Sequence, residues 1–439
     1  MKKILALTLI CLILLGGVTG CSRNDENTLY FLNFKPESAA AYNKIAAKYK
    51  EETGKTLRVV TAASGTYEQT LKSEISKSDA PVLFQLNGVI GYNAWKDYCK
   101  DLSDTAIYKH LSDPELAIRS GEGVYGIPAV VEGYGIIYNE EITDKYFSLS
   151  NRATKYASMD EIRSFEALSA LVRDMTAHKE QLGIRGVFAA TSLKSGEDWR
   201  FQTHLANLPI YYEFKDAGTD ISRDDISEVA FSYNTQYKQL FDLYLGNSTT
   251  DPKLLGSKQV SDSMAEFALG QCAMVQNGNW AWSQIKDVNG NTVKSEKIKF
   301  LPLYIGAEGE YDQGLCVGTE NYFAINAKAS PEKQQLAEDF LTWLYTSESG
   351  KDMVTNELGF IAPYDTFEED EAPADPLGKE VYEWMNREGV NTVPWVFSVF
   401  PSQNFKSDFG AALLQYAHGN RDWNDVVSLF RTRWKEESA

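Results

Sequence analysis

Apolar residues between positions 28 and 87 alternate between two spacings, one typical of strands and one typical of helices. The segments TLYFLNF, TLRVVTA and VLFQL are short apolar runs, and each is predicted to form a strand. Residues 38 to 53 follow the period of an amphipathic helix that ends at Gly54, and a second helix is centred on Leu71. This β, α, β, α, β order predicts an α/β fold whose mostly parallel sheet is flanked by helices.

The carboxyl ends of these predicted strands are candidate ligand positions, because ligands of open parallel sheets bind beyond that edge. Asn33 follows the first strand and Asn87 follows the third. Each asparagine has an equally good alternative as an ordinary loop residue that stabilises a turn.

Helical patterns return near Ile162 and at Ser330-Pro331, where serine is a good N-cap and proline a good first helical residue. The chain has 439 residues, which is more than one hydrophobic core normally organises. Two domains are therefore expected. Since no low-complexity linker separates them, several strands should cross between them and form a hinge.

The stretch FALGQCAMVQNGNWAW ends in two tryptophans, Trp280 and Trp282, that follow the turn signal Asn277-Gly278. Residues 271 to 276 before the turn alternate as a strand does. The tryptophans are thus predicted to lie in a loop, where one indole can face a ligand while the other anchors the loop. Upstream, Ser263 and Glu266 predict a capping box and a short helix.

The N-terminal segment MKKILALTLICLILLGGVTGC has two lysines, a short apolar run and small residues that end at Cys21. This order is typical of a secretory signal peptide, and the apolar run is too short to span a bilayer comfortably. VTGC resembles the lipobox of bacterial lipoproteins, which implies removal of residues 1–20 and lipidation of Cys21. A plain secretory signal is the alternative. Residues 21–27 are expected to form a tether.

The protein is strongly acidic, with a formal net charge of −18 at pH 7. Removal of Lys2 and Lys3 leaves 41 basic against 61 acidic residues, so nucleic acid is not expected as a partner. The acidic run at 368–375 lacks the ligand spacing of an EF-hand. A solvated surface loop is expected there, with a calcium loop as the alternative.

Three cysteines, Cys99, Cys272 and Cys316, lie beyond Cys21. With an odd number, no CxxC and four dispersed histidines, neither a disulfide framework nor a zinc site nor another cofactor is expected. Buried free thiols are the expected state. One disulfide between Cys272 and Cys316 is the alternative.

Three blocks carry a family resemblance: FALGQCAMVQNGNWAW, GVYGIPAVVEGYGIIYNEE, and the run from LPLYIG through GTENYFAINAKASPEKQQLAEDFLTWL. In order and spacing they are similar to the extracellular solute-binding proteins of ABC importers, in the sugar-binding branch that includes maltose-binding protein. The resemblance implies two α/β lobes joined by a multi-strand hinge, with a ligand cleft between them. Its implied ranges are residues 28–138 plus 302–345 for the N-lobe and 139–301 plus 346–439 for the C-lobe.

The resemblance also implies ligand-binding residues. Trp280 matches the family's stacking tryptophan, with core burial as the alternative. Glu132 matches the family's sugar-binding carboxylate, with a solvated or ion-paired carboxylate as the alternative. Trp199 and Phe405 lie where the family has further cleft aromatics, and core packing is their alternative. These residue types agree with a carbohydrate, since flat rings suit the C–H faces of a pyranose and carboxylates suit its hydroxyls.

The function implied by the resemblance is capture of a carbohydrate, an oligosaccharide above all, for the membrane subunits of an ABC permease. The protein would be an exported monomer, lipid-anchored on the outer face of the cytoplasmic membrane. The nearest alternative is the same fold binding a peptide, amino acid or polyamine. A secreted glycoside hydrolase would need a second carboxylate beside Glu132, and neither such a partner nor another catalytic motif stands out.

Overall fold

The computed structural model describes residues 27–63, 65–221, 226–368 and 371–438. The predicted signal segment and Cys21 lie outside the described residues. The described strands are β1 Thr28–Asn33, β2 Thr56–Thr61, β3 Leu83–Asn87, β4 Ile118–Ser120, β5 Gly123–Pro128, β6 Glu132–Asn139, β7 Gly186–Phe188, β8 Cys272–Gly278, β9 Ile298–Leu301, β10 Gln313–Gly318, β11 Asn321–Ile325 and β12 Asn391–Pro394.

The described helices cover both faces of the sheets that these strands form. They are α1 Ala39–Thr53, α2 Tyr67–Glu74, α3 Gly88–Trp95, α4 Ala106–Lys109, α5 Glu140–Phe147, α6 Phe165–Ala177, α7 Lys179–Leu182, α8 Ala206–Ala217, α9 Asn234–Gly246, α10 Val260–Ala268, α11 Ala281–Lys286, α12 Pro331–Thr346, α13 Glu348–Asp352, α14 Pro376–Met385, α15 Gln403–Ala417 and α16 Trp423–Glu437. Within the described parts of the chain, every helix is too short or too polar to span a lipid bilayer.

Two mixed sheets organise the chain. The first has the strand order β2-β1-β3-β11-β5-β4, and the second has the order β12-β10-β6-β8-β7 with β9 on β6. The parallel pairing of β1 with β2 and β3 agrees with the prediction from the opening pattern. The sheets as wholes are mixed rather than mostly parallel, because β11 returns between β3 and β5 in the antiparallel direction and β6 pairs antiparallel with three neighbours.

Each sheet with its helices forms one lobe, and the chain passes between the lobes at three places in the described residues. The first passage lies between Pro128 and Glu132, and the second lies between Gly318 and Asn321. At the third, between residues 367 and 377, the chain leaves the first core and joins the second. The fold is therefore two lobes joined by several crossing segments.

The passages fall at different positions from the boundaries predicted at residues 138, 302 and 345. All of β6 and β10 belongs to the second sheet, whereas the sequence comparison assigned both strands to the N-lobe. Val354, Phe360 and Tyr364, which follow residue 345, still belong to the first core. Apolar periodicity identifies a strand but does not say which of two adjacent cores buries it.

Most predicted helix limits agree with the structure. Helix α1 ends at Gly54, whose φ of 72° suits glycine, and the Ser330 side chain caps α12 as expected. The predicted capping box at Ser263 and Glu266 is wrong, because α10 begins at Val260.

The actual cap of α10 comes earlier in the sequence. The Asp262 side chain accepts a 2.8 Å hydrogen bond from the Gln259 backbone N–H. Ser263 instead donates to the Ala190 carbonyl, and Glu266 pairs with Lys258. The pairs Gln259–Asp262 and Ser263–Glu266 overlap in this segment, and tertiary partners decide between them.

The cysteines Cys99, Cys272 and Cys316 are buried free thiols, as expected. Burial raises the pKa of the Cys99 thiol to about 12, so this thiol stays protonated at neutral pH.

Phe405 lies in the core of the second lobe rather than in the cleft. Its side chain is 0% exposed, and its ring packs 4.9 Å from Phe430 and 5.3 Å from Trp434, centroid to centroid. The core alternative for this residue therefore describes its position.

We expect Phe405→Ala to lower the free energy of unfolding by about 3–5 kcal/mol, because it leaves a cavity among packed rings. Denaturant unfolding measures this change. Leu254→Ala is the control, since Leu254 is 57% exposed and should change stability by less than about 0.5 kcal/mol. Equal effects of the two substitutions would contradict the assignment of Phe405 to the core.

Candidate functional site

Trp280 lies where the second sheet meets the cleft between the lobes. Strand β8 continues through Asn277-Gly278, which is therefore not the predicted turn, and Trp280 directly precedes α11. The indole Nε1 donates a 2.8 Å hydrogen bond to the Asn277 Oδ1 atom. Gly278 must lack a side chain, because a Cβ there would collide with the Trp280 ring.

Trp280 belongs to an aromatic cluster that combines distant parts of the sequence. Its ring centroid lies 5.7 Å from that of Trp199 and 5.7 Å from that of His204. His204 also lies 4.4 Å from Tyr134 and 5.7 Å from Trp395. We call Tyr134, Trp199, His204, Trp280, Trp395 and Phe397 the aromatic cluster.

The structure thus brings together Trp199 and Trp280, two of the residues that the sequence comparison selected. It adds Trp395 and His204, which sequence reasoning missed. Trp395 follows a proline in NTVPWVFSVF, and this apolar run read alone predicts core rather than cleft. No local signal distinguishes His204 from an ordinary buried histidine.

Glu132 opens β6 at the first passage between the lobes and is 4% exposed. Its Oε1 atom accepts a 2.7 Å hydrogen bond from Lys35 Nζ, so the two side chains form a buried ion pair between lobes. Lys35 Nζ also lies 3.8 Å from Glu37 and 5.6 Å from the centroid of the Trp280 ring. The ion-pair alternative for Glu132 describes its contacts in this structure.

Burial and charge pairing shift the pKa of Lys35 in opposite directions, and they do the same for Glu132. Burial disfavours the ammonium form of Lys35, but the carboxylates of Glu132 and Glu37 outweigh it and raise the pKa of Lys35. Burial raises the pKa of the Glu132 carboxyl, and Lys35 opposes that rise. Glu132 therefore depends on the Lys35 ammonium to remain ionised in this position.

Asn33 holds the segment that carries Lys35. The Asn33 Nδ2 atom donates to the Lys35 carbonyl at 2.7 Å, and Asn33 Oδ1 accepts from the Lys35 backbone N–H at 3.1 Å. Its side chain is fully buried. In this structure Asn33 positions the Lys35 backbone, and both atoms of its amide group already have hydrogen-bond partners within the chain.

The other asparagine, Asn87, lies beside the second passage, where it is the cross-strand partner of Asn321. Its Oδ1 atom is buried without a hydrogen-bond partner in the described residues. Several nearby atoms share this condition. They are Thr319 Oγ1, Asn321 Nδ2 and Trp395 Nε1. Buried polar atoms without partners are costly, so these atoms are suited to meet a polar ligand.

Two further cations lie near the aromatic cluster. The Arg200 guanidinium stacks on Trp199, with Cζ 3.8 Å from the ring centroid. Lys406 Nζ lies 3.9 Å from the Glu320 carboxylate at the second passage. Lys406 directly follows the predicted site residue Phe405 in the chain.

A cavity of about 200 Å³ opens beside Trp280, with walls from both lobes. Residues lining it include Glu37, Glu132, Trp280, Trp282, Phe360 and Asp375. Elsewhere the lobes touch directly, since a Cβ on Gly65 would lie 3.2 Å from the carbonyl oxygen of Gly196. The cleft is thus closed at one rim and open at this cavity.

Two of the described acidic residues in the run at 368–375 have partners within the protein. Glu371 pairs with Lys351, and Asp375 caps α14. Residues 369 and 370 lie outside the described residues. Among those described, no group of three or more His, Cys, Asp or Glu side chains is placed to hold a metal ion.

Two lobes, several crossing segments and a cleft lined by aromatic and polar side chains define a two-lobed ligand-binding protein. The chain belongs to the family of bacterial extracellular solute-binding proteins, which residues 44–378 match. No curated protein matches the sequence significantly.

Solved structures of sugar-binding proteins share the fold. A chitin oligosaccharide binding protein is 18% identical, with a TM-score of 0.68, over 94% of this chain and 98% of its own. RafE in complex with raffinose is 16% identical, with a TM-score of 0.69, over 94% and 100%. Maltose-bound MalE3 of T. maritima is 15% identical, with a TM-score of 0.68, over 93% and 99%. The family and these structures are binding proteins rather than enzymes.

The Lys35–Glu132 pair yields a double-mutant test. Lys35→Met and Glu132→Leu each leave one buried charge unpaired, so each should lower the free energy of unfolding by about 3–5 kcal/mol. The double variant should cost less than either single substitution, because no charge is then left alone. Chemical denaturation of the four proteins measures the coupling.

The control cycle uses Lys44 and Glu357, whose side chains are 62% and 30% exposed. Its coupling should stay below about 1 kcal/mol, since solvent screens exposed pairs. Additive effects at Lys35 and Glu132 would show that they are not coupled as the structure has them.

Proposed function

We propose that this protein is the lipid-anchored substrate-binding component of an ABC transporter and captures a carbohydrate, an oligosaccharide above all, in the cleft between its lobes. The observation that carries the proposal is the aromatic cluster beside the buried Lys35–Glu132 pair. Indole faces and fixed polar groups at one place match the two kinds of surface that a pyranose presents.

Trp280 is the proposed stacking residue. Its ring is half-buried beside the cavity, and the hydrogen bond to Asn277 fixes the ring plane. An apolar C–H face of a sugar ring loses little on leaving water and gains contact with such a rigid surface. Trp199, 5.7 Å away, extends the aromatic surface toward a second ring.

Glu132 and Lys35 are proposed to bind hydroxyl groups. One carboxylate oxygen of Glu132 is held by Lys35, which leaves the second oxygen as an acceptor. Lys35 retains N–H donors beyond the one it gives to Glu132. The pair thus offers an acceptor and donors side by side, which suits neighbouring hydroxyls that each donate and accept. Asn87 is the proposed further polar contact, through its unpartnered oxygen.

The similar structures support a carbohydrate, because RafE was solved with raffinose and MalE3 with maltose. A binding protein that serves a permease meets it more often when it is held near the membrane. Lipidation of Cys21 would provide this anchor, since the multiple chains of a bacterial lipoprotein hold more firmly than one. We propose that the protein acts as a monomer, because it must open, close and dock.

A thermal-shift screen tests the proposed ligand class. The protein from residue 22 to residue 439, which contains every described residue, is heated with neutral and acidic mono- and oligosaccharides, then with amino acids, peptides and polyamines. A ligand that binds the folded state raises the Tm by mass action. A shift confined to non-carbohydrate solutes would replace the carbohydrate by that class. Turnover of an oligosaccharide by the purified protein would replace binding by catalysis.

We expect Trp280→Ala to weaken binding of the carbohydrate found in that screen by about 30-fold or more, as loss of a central tryptophan commonly does. Calorimetric titration measures the change. Trp343→Ala is the matched control, since Trp343 stacks on Phe340 in the first lobe away from the cleft and should leave affinity unchanged. Wild-type affinity in Trp280→Ala would remove stacking from the proposal.

A further inference from the structure

Arg200 is a buried cation whose charge is not matched by a neighbouring carboxylate. It is 3% exposed, and its single side-chain hydrogen bond within the described residues runs from Nε to Asn277 Oδ1 at 3.0 Å. No carboxylate of the described residues lies within ion-pair distance of the guanidinium. The two terminal nitrogens, with four N–H donors, therefore have no acceptor from the described chain.

Lys406 is in a similar position. It is 5% exposed, and its nearest carboxylate oxygen, on Glu320, lies 3.9 Å away. That separation exceeds a hydrogen bond, and Lys406 Nζ makes none within the described residues. A second buried cation thus lacks a bonded acceptor.

Arg200 and Lys406 lie on two segments that pack against each other. Burial lowers the pKa of His204 well below its usual value, and the charges of Arg200 and Lys406 lower it further. Helix α15, which carries Lys406, packs tightly on the segment of Arg200, since a Cβ on Gly410 would collide with the Asp198 carboxylate. The Trp199 ring, on which Arg200 stacks, lies 4.7 Å from the His204 ring, and α15 packs on residues 200–205, which include both Arg200 and His204.

The structure leaves donors in surplus at this place. Burial lowers the pKa of Arg200 to about 9, against the weaker opposing effects of Glu37 and Glu197. Asn321 Nδ2 and Trp395 Nε1 are further donors without partners. A buried guanidinium is strongly favoured by a planar oxyanion, because two parallel N–H groups bind both oxygens of a carboxylate.

We propose that Arg200 and Lys406 form a subsite for a carboxylate of the ligand, so that the captured carbohydrate is an acidic one that contains a uronic acid. The proposal rests on the proposed carbohydrate function and names its ligand class. A single negative charge fits better than a phosphate dianion, because Glu37, Glu132 and Glu320 lie in the same cleft and would repel the second charge.

The experiment compares matched ligands on one protein. Oligosaccharides of glucuronic, galacturonic and mannuronic acid are titrated as free acids, as methyl esters and as the neutral sugars of equal length. A carboxylate bound by buried cations should make the best free acid bind about ten- to hundred-fold more tightly than its own ester. The ester keeps the ring and the hydroxyls, removes the charge and adds one methyl group, and the neutral sugar of equal length controls for that methyl group.

Two variants locate the effect on the chain. In Arg200→Gln the preference for acid over ester should fall at least ten-fold, and Lys406→Met should reduce it in the same direction. Arg185→Gln is the control, because Arg185 is exposed and binds Gln271, so this variant should keep the full preference. If Arg200→Gln does not fold, Lys406→Met and the wild-type ester comparison still decide.

Each outcome decides between the proposals. Neutral sugars or esters that bind wild type as well as the acids would overturn the carboxylate subsite while carbohydrate capture stands. An acid preference that survives in both variants would also overturn the subsite. If no carbohydrate of the panel or of the thermal-shift screen binds, the proposed function itself fails, and the subsite with it.

Discussion

Burial of opposite charges where the two lobes meet is the constraint on which the site depends. Lys35 and Glu132 come from different lobes and lie almost entirely out of water. Each would be costly alone, since the attraction in a low-dielectric interior must offset the loss of hydration of both groups. The fold meets this demand with Asn33, which binds the Lys35 backbone on both sides and so fixes the direction of the ammonium. The end of β1 is thereby tied to the start of β6.

The Lys35–Glu132 ion pair affects how the two lobes can move relative to each other. Opening the cleft would separate Lys35 from Glu132 and return both to water, so the lost attraction is partly offset by regained hydration. The Gly65–Gly196 contact is between bare backbones and has little area to lose. Helix α3 of the first lobe also packs on residues 396–399 of the second lobe, so the balance between open and closed states depends on all of these contacts. A ligand that bridges the lobes can shift such a balance by its differential affinity alone.

The sequence predicted the elements of the fold better than their assembly. The first three strands and α1 follow from local periodicity, because residues within one strand or helix determine that pattern. The lobe boundaries do not, since β6 and β10 are apolar segments that either core could bury.

The site shows the same limit at the level of single residues. Trp280 and Glu132 each lie within a long stretch of sequence that resembles the family. Lys35 lies outside those stretches, and its ion-pair partner is 97 positions away in the sequence. Phe405 and Lys406 show how far the surroundings of two consecutive residues can differ. Adjacent helical residues point about 100° apart, so Phe405 packs among the rings of Phe430 and Trp434 while Lys406 approaches Glu320.

The proposed stacking residue Trp280 and the proposed cationic residue Arg200 are not independent, because one atom orients both. Asn277 Oδ1 accepts hydrogen bonds from Trp280 Nε1 at 2.8 Å, from Arg200 Nε at 3.0 Å and from the Gly278 backbone at 3.0 Å. A carbonyl oxygen has two lone pairs, so three donors compete for it and hold its position tightly. Trp199 joins the same unit, since Arg200 stacks on its ring. The plane of the indole and the direction of the guanidinium are therefore set together by Asn277, near the end of β8. A ligand that contacts either group meets a rigid surface whose parts contribute to affinity as one unit rather than additively.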